Sequence, residues 1–139
     1  MHSVLLFLCE VSKDETILMA RHNETGQIGE SLAKVHLQDK GYQIVSTNWR
    51  WRQYEIDVIA MHDDTLVFIE VKTRTNGYFG YPETQVDGAK QRAISRAASA
   101  YIEENDYRLP VRFDIVAITF FKDHHEIAHF EDAFFPSEL

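Results

Sequence analysis

Four shortages narrow the field. The 139-residue chain has one cysteine, Cys9, so no disulfide can close within it; that usage suits a reducing compartment and gives the expectation of a cytoplasmic protein. Prolines number three and glycines six, too few for a collagen-like or linker-rich chain. Basic residues are outnumbered, 14 against 22 acidic, for a net charge of −8, which argues against a protein that coats nucleic acid over its whole surface. The apolar run at Val4–Cys9 is only six residues long. It has no basic stretch ahead of it, so it is too short for a membrane span and poor as a signal peptide, and no membrane association is expected.

What is present fits one domain with a real core: 45% of residues are hydrophobic. The charge is uneven. Residues 97–139 hold three basic and nine acidic side chains, whereas residues 50–96 hold seven of each, leaving room for a local basic groove. Residues 1–18 read as an extension, either an extra edge strand or non-native text with Met19 as the natural start. Residues 19–139 then form a single domain.

Hydrophobic periodicity predicts a helix over 24–40, with Ile28, Leu32, Val35 and Leu37 as its apolar stripe and Gly41 as its stop. Strands follow at 42–51, 54–61 and 65–73, the last two joined at the Asp63–Asp64 turn signal. Residues 74–84 are a loop rich in glycine and aromatics. A second helix covers 87–104, and strands cover 111–121 and 125–130. The second helix is a crossover, so the third and fourth strands should be parallel and the terminal pair a hairpin. The fold class is therefore α/β: a mixed sheet of about five strands flanked by two helices, in the order α-β-β-β-α-β-β.

The stretch "LVFIEVKTR", residues 66–74, is anomalous for a core strand, because Glu70 and Lys72 sit inside it. An unpaired buried charge costs several kcal/mol. Alternation puts Leu66, Phe68, Glu70 and Lys72 on one face, and Glu55 and Asp57 on one face of the preceding strand, opposite Ile56, Val58 and Ala60. Pairing across the turn brings Asp57 near Glu70. Two adjacent carboxylates repel unless one is protonated or a cation lies between them. A hard ion, Mg²⁺ or Mn²⁺, would relieve that, and Lys72 would then face bound water or a phosphate. The plainer reading is a Glu–Lys pair on a solvated edge.

Asp57 followed by Glu70-Val71-Lys72 resembles the PD-(D/E)xK nuclease signature, with its restriction-endonuclease-like core. The blocks "HNETGQIGESLAKVHLQDKGYQIVSTNWR", "EIDVIA", "LVFIEVKTR", "FGYPETQV", "AKQRAISRAASAYI", "RFDIVAI" and "DAF" together resemble the YraN-like family of small bacterial proteins, from about Met19 to Phe134. The resemblance implies a nucleic-acid role without naming a substrate. It implies Asp57 and Glu70 as metal ligands, the Val71 carbonyl as a further one, Lys72 as the catalytic lysine, and Glu30 as an acidic group acting through water or a second ion. Lys90 matches a basic position that would touch phosphate. One departure stands out: the family reads Gly-Glu-Ile-Asp, and here Tyr54 replaces the glycine, which would reshape the approach to the site.

Other side chains have two readings. Arg50, Arg52, Arg74 and Arg92 either line a phosphate-binding groove or are ordinary exposed arginines. Trp49 and Trp51 are expected as core packing rather than base-stacking platforms, and Tyr78, Phe79 and Tyr81 belong to a loop that would act as a flap. His124, His125 and His129 lack the further ligands a zinc site needs. Asp114 is read as a structural ion-pair partner of Arg112 or a helix residue. The expected function is a metal-dependent nuclease on DNA or branched nucleic acid, acting as a homodimer where cutting is symmetric. The alternative is a non-catalytic nucleic-acid-binding or partner-binding module on the same fold.

Overall fold

A computed structural model of the protein describes residues 15–75 and 86–135. Its elements run α1 (Glu15–Asp39), β1 (Gln43–Trp51), β2 (Tyr54–His62), β3 (Thr65–Thr75), α2 (Gly88–Asn105), β4 (Val111–Phe120) and β5 (His125–Phe130). This is the expected α-β-β-β-α-β-β order. The helix α1 starts at Glu15 rather than at 24 and runs unbroken through Met19; residues 15–23, "ETILMARHN", contain neither glycine nor proline to stop it. Residues 1–14 and the 77–82 loop lie outside the described residues, as do Tyr78, Phe79 and Tyr81.

The five strands form one sheet in sequence order, β1-β2-β3-β4-β5. Every pairing is antiparallel except β3 with β4, which is parallel because α2 carries the chain back across the sheet. The hairpin turns place Arg52 (φ 58°) and Asp63 (φ 53°) in the left-handed region. Tyr54 is not among the positive-φ residues; it lies in the strand and stacks on Trp51 at 6.0 Å, so the tyrosine is accommodated without a glycine-like backbone.

Both faces of the sheet are covered. Under α2, Phe68, Leu66, Ile59 and Phe113 pack with Ile94, Ala97 and Tyr101. Under α1, Val67, Ile69, Val58 and Val116 pack with Ala33 and Leu37. A fully buried side chain of this size contributes about 1.5–3 kcal/mol. Of the expected α1 stripe, Leu37 is buried and Ile28 and Leu32 pack partly buried against the same core, but Val35 is 55% exposed; Thr25, Gly29 and Ala33 complete the buried line. Small residues win because the helix lies close to the sheet. A Cβ on Gly29 would stand 1.9 Å from Cγ2 of Thr73. The helix ends as expected at Gly41 (φ 89°), where Tyr42 N–H donates to the Leu37 carbonyl at 2.9 Å.

Candidate active site

Asp57 sits where β2 departs from a regular strand. Strict alternation would keep Ile56, Val58 and Ala60 on one face. Instead Val58 and Ala60 pack under α1 while Ile56 packs under α2, so the strand changes face at Asp57. Pairing between β2 and β3 runs from His62↔Thr65 to Val58↔Ile69. Just past that point the Asp57 side chain takes over the ladder's role: its Oδ2 accepts the Val71 N–H at 2.8 Å. A carboxylate is thereby wedged between two strands, beside Glu70.

Glu70 is 6% exposed, on the central strand rather than on a solvated edge. Two lysines meet at the same oxygen: Lys72 Nζ lies 3.4 Å and Lys90 Nζ 3.1 Å from Glu70 Oε1. Lys72 comes from the same strand. Lys90 comes from the first turn of α2, whose N-cap Asp87 accepts the Lys90 N–H at 2.8 Å. Lys90 was expected as a phosphate contact; the fold makes it the nearer partner of Glu70. Partial burial pulls its pKa down, but Glu70 outweighs this and raises it.

Among the described residues Asp57 has no such basic partner, and its hydrogen bond comes from the Val71 amide. Burial first, then the Glu70 charge, and after them Glu30, push its carboxyl from 3.8 up to about 7, against the Val71 hydrogen bond and Lys90. Glu30 joins the cluster from α1. Its Oε2 accepts from Asn48 Nδ2 at 3.4 Å, and the same amide donates to Glu55 Oε1 at 3.0 Å. Asn48 escaped the sequence reading. Its only sequence trace is that asparagine tolerates the left-handed backbone it adopts here, φ 48°.

The donor set suits a hard cation. It consists of two carboxylates and a backbone carbonyl, all oxygen, with the Asp57 carboxyl raised to about 7 by burial first and by the Glu70 charge second. Mg²⁺ is held by one or two carboxylates, with water and phosphate completing the shell. Among the described residues no three histidine, cysteine or carboxylate side chains already stand close enough to hold an ion as they are, so water and substrate would supply the rest.

The remaining candidates scatter. Arg50 is 75% exposed and paired to Glu55 at 3.3 Å. The Arg52 guanidinium lies 4.4 Å over the Trp51 ring. Arg74 is at the end of β3, level with Thr119 of β4, and Arg92 is on the exposed side of α2. Trp49 meets Tyr101 edge-on at 5.2 Å, within the α2-side core.

A second charged cluster lies further along the α1 side of the sheet. Asp114 is fully buried. It accepts from Arg112 Nε at 2.9 Å, Tyr42 Oη at 3.1 Å and the Asp132 N–H at 3.1 Å, and His129 Nε2 lies 2.9 Å away. Burial pushes its carboxyl up, but the bonds from His129, Arg112 and Asp132 outweigh that and hold it at about 2. The expected Arg112 partner is thus found, and the cluster ties Tyr42, just ahead of β1, to β4, β5 and the chain after it. His124 pairs instead with Asp123 at 2.7 Å, and His125 packs on Phe120.

Comparison with known proteins identifies the family. A family model described as "Uncharacterised protein family UPF0102" matches residues 29–118, a span that contains Glu30, Asp57, Glu70, Lys72 and Lys90. A UPF0102 protein of Flavobacterium psychrophilum is 44% identical over 117 residues, 84% of this chain and 98% of its own. One of Parabacteroides distasonis is 45% identical over 117 residues, 84% and 97% of the two chains. One of Alkaliphilus oremlandii is 42% identical over 118 residues, 81% and 99%. UPF0102 is the YraN family, so the resemblance read from the sequence blocks holds.

Proposed function

The chain belongs to the uncharacterised protein family UPF0102, and from its carboxylate–lysine cluster we propose that it is a metal-dependent nuclease that hydrolyses phosphodiester bonds in DNA or branched nucleic acid. The observation that carries this reading is the meeting of Asp57, Glu70, Lys72 and Lys90 at one point of the sheet, with Glu70 buried and Asp57 raised to about 7. Both lysines engage Glu70, while the Asp57 carboxyl beside it is held by the Val71 N–H rather than by a cation among the described residues. Mg²⁺ or Mn²⁺ would be held by Asp57, Glu70 and the Val71 carbonyl, and when bound it would supply a more acidic water and a Lewis acid for the phosphate.

The side chains have separate tasks. Lys72 puts positive charge where an attacking hydroxide and the phosphorane oxygens develop negative charge. Glu30 orders water, or a second ion, on the α1 side. Lys90 holds a phosphate once Glu70 is engaged elsewhere, and Arg50, Arg52, Arg74 and Arg92 steer the backbone of the strand. A homodimer would give two such sites for symmetric cutting, and cytoplasmic residence fits the substrate; no described helix is long and apolar enough to cross a membrane.

One observation favours a second reading, a binding module that does not cut. Arg50, Lys72 and Lys90 all spend charge on internal carboxylates, and the net charge is −8. The experiment that separates the two uses linear, single-stranded, flap and four-way-junction DNA with Mg²⁺ or Mn²⁺, alongside Lys72→Ala protein purified identically. Cleavage by the wild type that falls about a hundredfold or more in Lys72→Ala supports the nuclease. Binding with a steep salt dependence and no cleavage supports the module, and equal cleavage by both proteins identifies a contaminant.

A further inference from the structure

Asn48 combines two unusual features. Its backbone is left-handed, φ 48°, in the middle of β1, a conformation that costs an L-residue about 1–2 kcal/mol, less for asparagine. It also faces the point where β2 changes face. The β1–β2 register pairs Thr47 with Val58 and Trp49 with Ile56, leaving Asn48 opposite Asp57 with no pair between them. Backbone of this kind persists where the surroundings fix it, often beside a functional group. The amide nitrogen then donates to carboxylates of two different elements, Glu55 of β2 at 3.0 Å and Glu30 of α1 at 3.4 Å.

We propose that Asn48 is a positioning residue of the carboxylate site: its left-handed backbone frees Asp57 from the β1–β2 ladder, and its amide tethers Glu30 to Glu55 beside Asp57. The proposal rests on the nuclease reading for its purpose but on geometry for its substance. Glu30 and Glu55 repel each other when both are ionised, and a donor shared between them offsets that repulsion. Without the amide, Glu30 is free to swing into solvent from its helix. With it, a third carboxylate stays near the Asp57–Glu70 pair, where it can order water or a second cation. Few side chains combine both features: glycine tolerates the backbone without offering a donor, and glutamine offers a donor without the same tolerance.

The test separates backbone from amide. Asn48→Gly keeps the left-handed backbone and removes the tether; Asn48→Val removes both. Groups that support metal ligands typically change metal affinity by 10–100-fold, so Mn²⁺ binding to Asn48→Gly is expected to weaken by about tenfold. Melting is expected to drop clearly only in Asn48→Val. Adding Asn48→Gly to Glu30→Gln should weaken Mn²⁺ binding no further, because the tether then has nothing to hold. In ¹H–¹⁵N spectra of the full chain, the Asn48 side-chain amide signal should shift on Glu30→Gln and on Glu55→Gln, and broaden on Mn²⁺ addition. Unchanged Mn²⁺ affinity in Asn48→Gly, or an amide signal indifferent to both glutamines, overturns the proposal. If the wild type binds no Mn²⁺ at all, the nuclease reading fails, and the response of the amide signal to Glu30→Gln still decides whether the tether exists.

Discussion

Replacing Asp57 by asparagine should stabilise the metal-free protein at alkaline pH. Asparagine retains an oxygen to accept the Val71 N–H, now met by Asp57 Oδ2 at 2.8 Å, and loses the charge that Glu70 and Glu30 oppose. A carboxyl whose folded-state pKa is about 7, against 3.8 otherwise, binds its proton more tightly in the fold. The fold therefore loses stability as pH rises from about 4 through 7, and the loss is complete above that. The difference between the two values corresponds to about 4 kcal/mol. Discounted for the partial solvent access of the side chain, the effect is about 2 kcal/mol, or roughly 6 °C in a domain of this size. Thermal melts of both proteins in chelator, from pH 4.5 to pH 9, give the comparison. The gain should be largest above pH 7.5 and shrink as pH falls towards 4.5. A variant less stable than wild type at pH 8, or a gain independent of pH, refutes the electrostatic reasoning.

Further outcomes follow from the same contacts. Lys90→Met should tighten Mn²⁺ binding several-fold while weakening DNA binding, since Lys90 Nζ holds Glu70 Oε1 at 3.1 Å and competes with a cation for it; titration calorimetry and salt-dependent DNA binding read the two effects. Gly29→Ala should destabilise by about 1–3 kcal/mol in chemical denaturation, because the new methyl meets Thr73 at 1.9 Å and the overpacked contact must open. Asp114→Ala should cost about 3–5 kcal/mol by stranding Arg112 and His129 without their shared carboxylate. The depressed Asp114 pKa, about 2, stabilises the fold above pH 4, and an acid titration should show that contribution being lost as pH falls towards 2.

Much of the fold was legible because its signals are local. The Asp63–Asp64 turn fixes the β2–β3 register, and the crossover helix dictates a parallel β3–β4 pair, so Asp57 and Glu70 could be placed near one another from spacing alone. Their details were not legible. The face change at Asp57 depends on Asn48 across the ladder and on two cores competing for Ile56 and Val58, which alternation cannot express. The Lys90–Glu70 pair depends on where α2 docks, a tertiary distance with no period in the sequence. The close approach of α1 was hidden for the opposite reason: beside Leu37 its buried line is made of Thr25, Gly29 and Ala33, residues too small to register as an apolar face, while the conspicuous Val35 points to solvent.

The central claim is that Asp57 and Glu70 form one cation site. Calorimetric titration of Mn²⁺ into the full-length protein, into Asp57→Asn and into Glu70→Gln tests it most directly. Saturable binding to the wild type is expected, and each single substitution should abolish it or weaken it by at least about a hundredfold. Wild-type binding that survives both substitutions, or no binding by the wild type, would contradict it.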